Sequence, residues 1–335
     1  MRILFGTVLF LAALALSGCK TLREPDWLQN PKSVYPEASY LSAVGEGNSR
    51  QTAEYAASAN LSRIFKSHIE ATERLIDVAS ETETHFSRTT QMSSDINILS
   101  EETLINIQHA EAWKDDLGRY HAIAYIDRQK TAAIYQHQID ENSRRVQAFL
   151  TYADQADSLL QKHAHLRAAE RLANETTLLL QQLKVIHSPT AIAAAPPYSI
   201  AALKTALSTN GEKIHVAIHI DGDTNERAEE MLKEMITRYG FTVGEPAVLT
   251  LQGDVSFTDS GKRTDDLLFY YFNLTVEVKD QAGRTITTIT ENGREAVTST
   301  EEALPRFFRT LNKAIQENGP RSLDAYFNSL IEQNR

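Results

Sequence analysis

Tyr40 to Val44 (Tyr40-Leu41-Ser42-Ala43-Val44) reads as a short strand, and Gly45-Glu46-Gly47-Asn48 turns the chain toward a helix near Ser49. From there the period changes. Ala53, Ala57, Leu61, Ile64, Phe65 and His68 fall at helical spacing, which predicts one packed face and one polar face. The Ser/Thr-rich stretch Ser80 to Ser94 alternates only weakly and allows a strand at most. A cleaner signal follows. Ile105 and Ile107 alternate with polar residues up to Trp113, Lys114 to Gly118 form a loop, and Tyr120, Ala122, Ala124 and Ile126 line one face of a return strand.

Between Gln129 and Ile186 there is neither Gly nor Pro, and Ala, Leu, Gln, Glu and Arg dominate, which favours long helices. Val146, Phe149, Leu150, Ala153, Ala156, Leu159 and Leu160 make one apolar stripe; Leu166, Ala169, Leu172, Ala173, Leu179 and Leu183 make another. Two antiparallel helices are expected. The pair has no second copy at a fixed period, so a repeat solenoid is excluded. His187 to Ser199, with Pro189, Pro196 and Pro197, opens a Pro/Ala-rich linker.

Beyond it, Ile214, Val216, Ile218 and Ile220 alternate as a strand, and Asp223 with Glu226 form a capping box. Ala228, Met231, Leu232, Met235, Ile236 and Tyr239 then form a helix that ends at Gly240. Strands are predicted at Leu249 to Phe257, Leu268 to Val278 and Arg284 to Thr290. Two closing helices follow: one capped by Ser299 and Glu302 and carrying Leu304 to Ile315, the other spanning Leu323 to Ile331. The order β-α-β-β-β-α-α builds a sheet with helices on one face. The chain is thus expected to be α+β, two small sheet-plus-helix domains (40–128 and 211–335) joined by a helical hairpin (129–186) and a linker (187–210).

Composition narrows the class. The 335 residues are 42% hydrophobic, enough for a real core, and the net charge of −10 repels phosphate backbones, so nucleic acid is not an expected partner. At the N-terminus, Arg2 precedes an uncharged apolar run from Ile3 to Leu16, followed by small residues. This is signal-peptide anatomy, and the run is short of the roughly 20 apolar residues a membrane span needs. Leu16-Ser17-Gly18-Cys19 resembles a lipobox, so cleavage is expected between Gly18 and Cys19, with acyl chains on Cys19. Cys19 is the single cysteine and has no disulfide partner within the chain. Several acyl chains give stable anchoring where one does not. Residues 1–18 are then the signal peptide, and 19–39, with Pro25, Pro31 and Pro36, an extended tether.

The run Tyr35 to Gly47 (Tyr-Pro-Glu-Ala-Ser-Tyr-Leu-Ser-Ala-Val-Gly-Glu-Gly) and the helix ending Ala59-Asn60-Leu61-Ser62-Arg63-Ile64-Phe65 resemble the opening of the Lpp-twenty family of bacterial lipoproteins. Glu111 to Asp115 and Tyr120 to Arg128 fit the closing hairpin of the same family. In flagellar outer-ring T proteins a similar module precedes a TolB-amino-domain-like unit, which residues 211–335 resemble in element order. The resemblance implies an outer-membrane lipoprotein facing the periplasm or the cell surface, with no catalytic residues to carry over. Lys20, rather than Asp, after the cysteine fits export to the outer membrane under the usual lipoprotein sorting rule.

Candidate chemistry thins out on inspection. His215 and His219 lie four apart on a strand, about 13 Å from each other, too far to share a zinc ion at about 2 Å. His163 and His165 lie two apart on a helix and point to different faces. Asp221-Gly222-Asp223-Thr224-Asn225 begins like a calcium loop, but Glu226 stands where the loop needs Gly and Leu232 where it needs a bidentate Glu. Gly45-Glu46-Gly47 lacks the third glycine and the lysine of phosphate-binding loops. No Gly-x-Ser-x-Gly elbow occurs. No metal, cofactor or catalytic set is therefore expected.

Phe269-Tyr270-Tyr271-Phe272 stands out because both faces of this strand carry large rings. A central strand covered on both faces would explain it as core, the favoured reading, whereas an edge position would make it a docking surface. The leading expectation is a non-enzymatic, membrane-anchored envelope lipoprotein that binds a protein partner as a structural or assembly component. The alternative is an anchored binder of a small ligand or glycan.

Overall fold

The computed structural model describes residues 24–79, 104–110, 112–223, 226–264 and 266–332, the side chains of 72–79 excepted. The fold is α+β, and it divides into two units: Met1–Ala132 with Val185–His187, and Ala133–Lys184 with Ser188–Arg335.

In the first unit, strand β1 (Tyr40–Gly47) pairs antiparallel with strand β4 (Tyr120–Asp127), from Tyr40 opposite Asp127 to Gly47 opposite Tyr120. Helix α3 (Arg50–Ala79) packs across both. Its buried stripe, Ala53, Ala57, Leu61, Phe65 and Ile69, steps every four residues, which leaves Ile64 on the solvent side at 38% exposure. The small residues let the helix come close. An added Cβ on Gly45 would sit 2.0 Å from the Ala57 backbone nitrogen, so β1 and α3 meet backbone to backbone there.

Two expectations for this unit change. The supposed tether folds from residue 26 onward into helices α1 (Asp26–Gln29) and α2 (Pro31–Val34), and burial of the Trp27 side chain favours this over an extended run. The strand expected from Ile105 to Trp113 shrinks to β2 (Gln108–His109) and β3 (Trp113–Lys114), each pairing with β4. Asn106 supplies the reason. Its φ of 62° breaks the extended run, and its side chain turns to donate to Thr131 Oγ1 at 3.0 Å. The weak strand at Ser80 to Ser94 lies outside the described residues. Arg128 ties the unit together, donating to the carbonyls of Glu37, Tyr40, Val185 and Ile186 at 2.6–3.3 Å.

Helix α4 (Arg128–Gln155) runs on into the second unit. There it packs through Val146 on Ala169, Leu172 and Ala173 of helix α5 (Leu159–Ala193) and on Leu203 of helix α6 (Ile200–Gly211). Residues 187–210, expected to form a linker, are thus mostly helical. His187 leaves helical geometry at φ −155°, ψ 92°, so Pro189 falls in the first turn of a restarted segment, where its missing N–H costs nothing. Ser199 Oγ then caps α6 by accepting from Ala202 N.

The sheet of this unit has the order β6-β5-β7-β8-β9. Strand β5 (His215–Asp221) is parallel to β6 (Thr242–Val243) and to β7 (Leu249–Thr264), whereas β7, β8 (Leu267–Asp280) and β9 (Thr285–Val297) form an antiparallel meander. Helix α7 (Arg227–Tyr239) and helix α8 (Thr300–Glu332) join the sheet in one core. Gly240, at φ 98°, closes α7 as expected.

The two closing helices are a single one. Ala303, Phe307, Leu311, Ile315, Gly319, Leu323 and Phe327 make one buried stripe straight through Pro320. A prolyl residue costs about 3 kcal/mol in a helix interior, and burying Leu323 and Phe327 returns about 1.5–3 kcal/mol each. Packing therefore carries the helix past the proline.

Candidate functional site

Gly18 and Cys19, the expected cleavage and lipidation site, lie outside the described residues. His215 and His219 stand on one face of β5, with His219 exposed, and no group of three metal-binding side chains gathers among the described residues. The Asp221-Gly222-Asp223 run closes β5. Asp223 Oδ2 accepts from the Glu229 backbone N–H at 2.9 Å, and Glu229 Oε1 accepts from the Ile220 N–H at 3.2 Å. This exchange replaces the expected box of Asp223 with Glu226, because Glu226 takes a left-handed conformation at φ 56° and stands outside the first turn of α7.

The histidines of α5 do face different ways, into two aromatic settings. His163 packs against Phe241 at 4.8 Å and Phe327 at 4.9 Å between ring centroids. Both of its ring nitrogens are buried with no hydrogen-bond partner among the described residues. Burial, with the Arg167 charge second, holds its imidazole down at about 3. Beside it Asp324 Oδ1 accepts from Arg167 and from the Tyr239 hydroxyl, each at 2.6 Å, and the Arg167 guanidinium lies 4.5 Å over the Tyr239 ring. Burial pushes the Tyr239 phenol up, against the pull of Arg167. The ion pair is a third or more exposed on each side and contributes at most about 1 kcal/mol, so this cluster is chiefly a packing joint of α5, α7 and α8.

His165 belongs to a cleft. Arg145, Phe149 and Tyr152 succeed one another at helical spacing on α4, and Gln161 and His165 do so on α5. Near the α4–α5 turn, where Ser158 Oγ caps α5, these rows line a half-open cleft of about 530 Å³ together with Ala148, Ala156 and Ile331. The size lies within the usual range for small-molecule sites. Tyr152 is half exposed, and the His165 ring stacks on Phe149 (6.2 Å, 29°) and tilts toward Tyr152 at 5.5 Å. Nδ1 of His165 is buried without a partner among the described residues, and burial lowers the imidazole below its ordinary value. Arg145 is exposed and makes no ion pair among the described residues.

The aromatic strand fits neither expectation. β8 is central, hydrogen-bonded to β7 and β9, yet only one of its faces is covered. Tyr270 and Phe272 point into the core at 7% exposure each, whereas Tyr271 is 44% exposed. Tyr271 stands opposite Arg294, whose guanidinium lies 5.0 Å over the Phe269 ring. The open face thus carries an aromatic and arginine patch among Ser256, Thr258, Asn273 and Asn292.

Sequence reasoning flagged His165 only as a metal candidate and passed over Arg145 and Tyr152. The spacing of Arg145, Phe149 and Tyr152 was a usable signal for a shared helix row. The inward turn of Gln161 and His165 toward that row was not.

Residues 25–127 match the family model of the LPP20 lipoprotein, a span from α1 to the end of β4 that is under a third of the chain. This is the family whose resemblance lies in Tyr35 to Phe65 and Glu111 to Arg128. The match ends well before residues 211–335, whose likeness to the TolB-type unit rests on element order alone. No curated protein matches the chain. Among solved structures, the secreted protein HP1454 from Helicobacter pylori aligns with 84% of this chain and 97% of its own at 12% identity and a TM-score of 0.48. A minor lipoprotein from Acinetobacter baumannii aligns with 33% of this chain and 92% of its own at 16% identity and a TM-score of 0.28. No described helix is long and apolar enough to cross a membrane. The family match fits a membrane-anchored envelope lipoprotein.

Proposed function

We propose that this protein is a non-enzymatic structural or assembly component of the cell envelope, held on the periplasmic side of the outer membrane by acyl chains on Cys19. Its second unit docks a protein partner. The observation that carries the docking is the open face of the five-stranded sheet, where Tyr271, Phe269 and Arg294 gather on and beside a central strand. Tyrosine and arginine dominate the energetics of protein interfaces, because they bring large contact area together with a polar tip. The LPP20 match supports the anchor, and Lys20 beside Cys19 supports the outer-membrane destination.

The anchor and the docking face are tested separately. Cys19→Ser is expected to abolish metabolic labelling with a fatty acid, block processing and release the folded chain from membranes. Unchanged processing and retention would overturn the anchor. For the partner, a photo-crosslinking residue in place of Tyr271 is expected to give one discrete adduct in native envelopes, lost when Arg294→Ala is added. The same probe in place of Gln281, in the exposed β8–β9 turn, should give none. Equal yields at the two positions, or no adduct at Tyr271 where known envelope complexes are trapped, would overturn the docking face.

A further inference from the structure

The α4–α5 cleft has no place in protein docking through the sheet, and its chemistry is that of a small-molecule site. We propose that it binds a planar aromatic anion, with the ring system against Phe149, Tyr152 and His165, the acidic group at Arg145 and a hydroxyl or ring N–H at the His165 imidazole.

Each part of the ligand answers one feature of the cleft. Arg145 is the only cationic residue of the lining, and no carboxylate among the described residues pairs with it. Its guanidinium, exposed on α4 beside the half-buried Phe149, is a forked donor suited to a carboxylate or sulfonate. Asp157, the one acid of the lining, lies past the end of α4. The helical rise from Arg145 to Gln155 is about 15 Å, so the acidic group of the ligand is drawn to the Arg145 end, away from Asp157. Between the two charges stand the rings of Phe149 and Tyr152, with Ala148 and Ala156 leaving room beside them. A flat ring gains offset stacking there that an aliphatic chain does not.

His165 sets the third requirement. Its ring is 5% exposed and its Nδ1 is closed off with no partner among the described residues, so a ligand in the cleft meets the imidazole on its Nε2 side. A neutral imidazole can take either role through its two tautomers. A volume of about 530 Å³ accepts a two-ring molecule with room for a substituent at each end.

The probe is 6-hydroxy-2-naphthoate, with 2-naphthoate, which lacks the hydroxyl, and 2-naphthol, which lacks the acid, as its controls. Binding is measured by calorimetry on the full chain in lipid nanodiscs, with empty nanodiscs as the blank. The expected result is saturable one-site binding of the hydroxynaphthoate. Arg145→Gln should weaken both acids about tenfold, the size of one charge-assisted hydrogen bond, and leave 2-naphthol unchanged. His165→Phe should weaken the two hydroxylated probes and spare 2-naphthoate, which also shows that the variant is folded. Tyr152→Ala should weaken all three. Heat no greater than that of empty nanodiscs, or binding indifferent to Arg145→Gln and Tyr152→Ala, would overturn the site. Neither outcome bears on crosslinking at Tyr271, so this proposal and the docking face fail independently.

Discussion

Alanine in place of Gly45 is expected to unfold the first unit under conditions in which the second stays folded. The new methyl group would lie 2.0 Å from Ala57 N, 2.5 Å from Ala56 C and 2.6 Å from Ala53 O. All three are backbone atoms of one helix, so no rotamer change relieves the clash. Either α3 moves off β1 by an ångström or more, or the strand bends. Both remove contacts of Ala53, Ala57 and Leu61, each fully buried. Ordinary overpacking costs about 1–3 kcal/mol, and a backbone clash belongs at or above the top of that range, so a loss of at least about 3 kcal/mol is expected. Hydrogen exchange in mild urea is the direct measurement. Amides of β1, α3 and β4 should lose protection while those of β7, β8 and β9 keep it. An unfolding midpoint within about 0.5 kcal/mol of the parent chain would show that α3 yields to the methyl group.

That residue also marks what the sequence could and could not convey. Gly45-Glu46-Gly47 is recognisable as a break in a pattern, and its failure as a phosphate loop follows from spacing alone. Its actual purpose, the approach of a helix backbone, depends on α3 folding back over the strand that precedes it, which no local pattern encodes. The same holds elsewhere. Alternation in Tyr120 to Ile126 and in Ile214 to Ile220 locates β4 and β5, because successive side chains of a strand point to opposite faces, although β4 also buries His121 and Ile123 and β5 buries Ala217 on the other face. Prolines misled as well. Pro31 sits at the start of α2, Pro189 falls in a first turn and Pro320 is overridden by Leu323 and Phe327, so three apparent breaks became helix.

The candidate sites were less legible than the fold. Phe269 to Phe272 was conspicuous, but whether such a strand is covered on two faces or one is decided by where α7 and α8 land, many residues away. The cleft draws Arg145 from α4, His165 from α5 and Ile331 from α8. Phe149 and Ala156 were legible only as parts of a packing stripe. They are that, and they also line a space, because the stripe runs on to the end of α4, where the pair opens toward its turn. The proposed lipidation site is the reverse case. A lipobox, which Leu16 to Cys19 resembles, is a linear signal met by processing enzymes in an extended chain, so it is read from sequence and owes nothing to the fold.

Below neutral pH the second unit should lose stability through His163, and His163→Leu should abolish that loss. The imidazole is 2% exposed, packed among Tyr239, Phe241 and Phe327, and held at about 3 against an ordinary value of 6.5. Between those two values the unfolded chain binds a proton that the folded chain refuses. Stability is therefore complete above pH 6.5 and falls as the pH drops toward 3, at about 1.4 kcal/mol per pH unit. From pH 7.5 to pH 4.5 this group alone removes about 3 kcal/mol. Carboxylates such as Asp259 and Asp280, held low by their arginine partners, also titrate in acid, but they do so equally in both proteins. The comparison of urea unfolding in the two chains at the two pH values therefore isolates His163. At pH 7.5 leucine should be neutral or stabilising by about 1 kcal/mol, because it fills a similar volume and removes a buried N–H without a partner. At pH 4.5 it should lead by about 3 kcal/mol more than at pH 7.5. Equal losses in the two chains would mean that α5 opens enough at acid pH to hydrate the imidazole, and the joint formed by His163, Tyr239, Phe241 and Phe327 would then be a far looser contact than its ring distances imply.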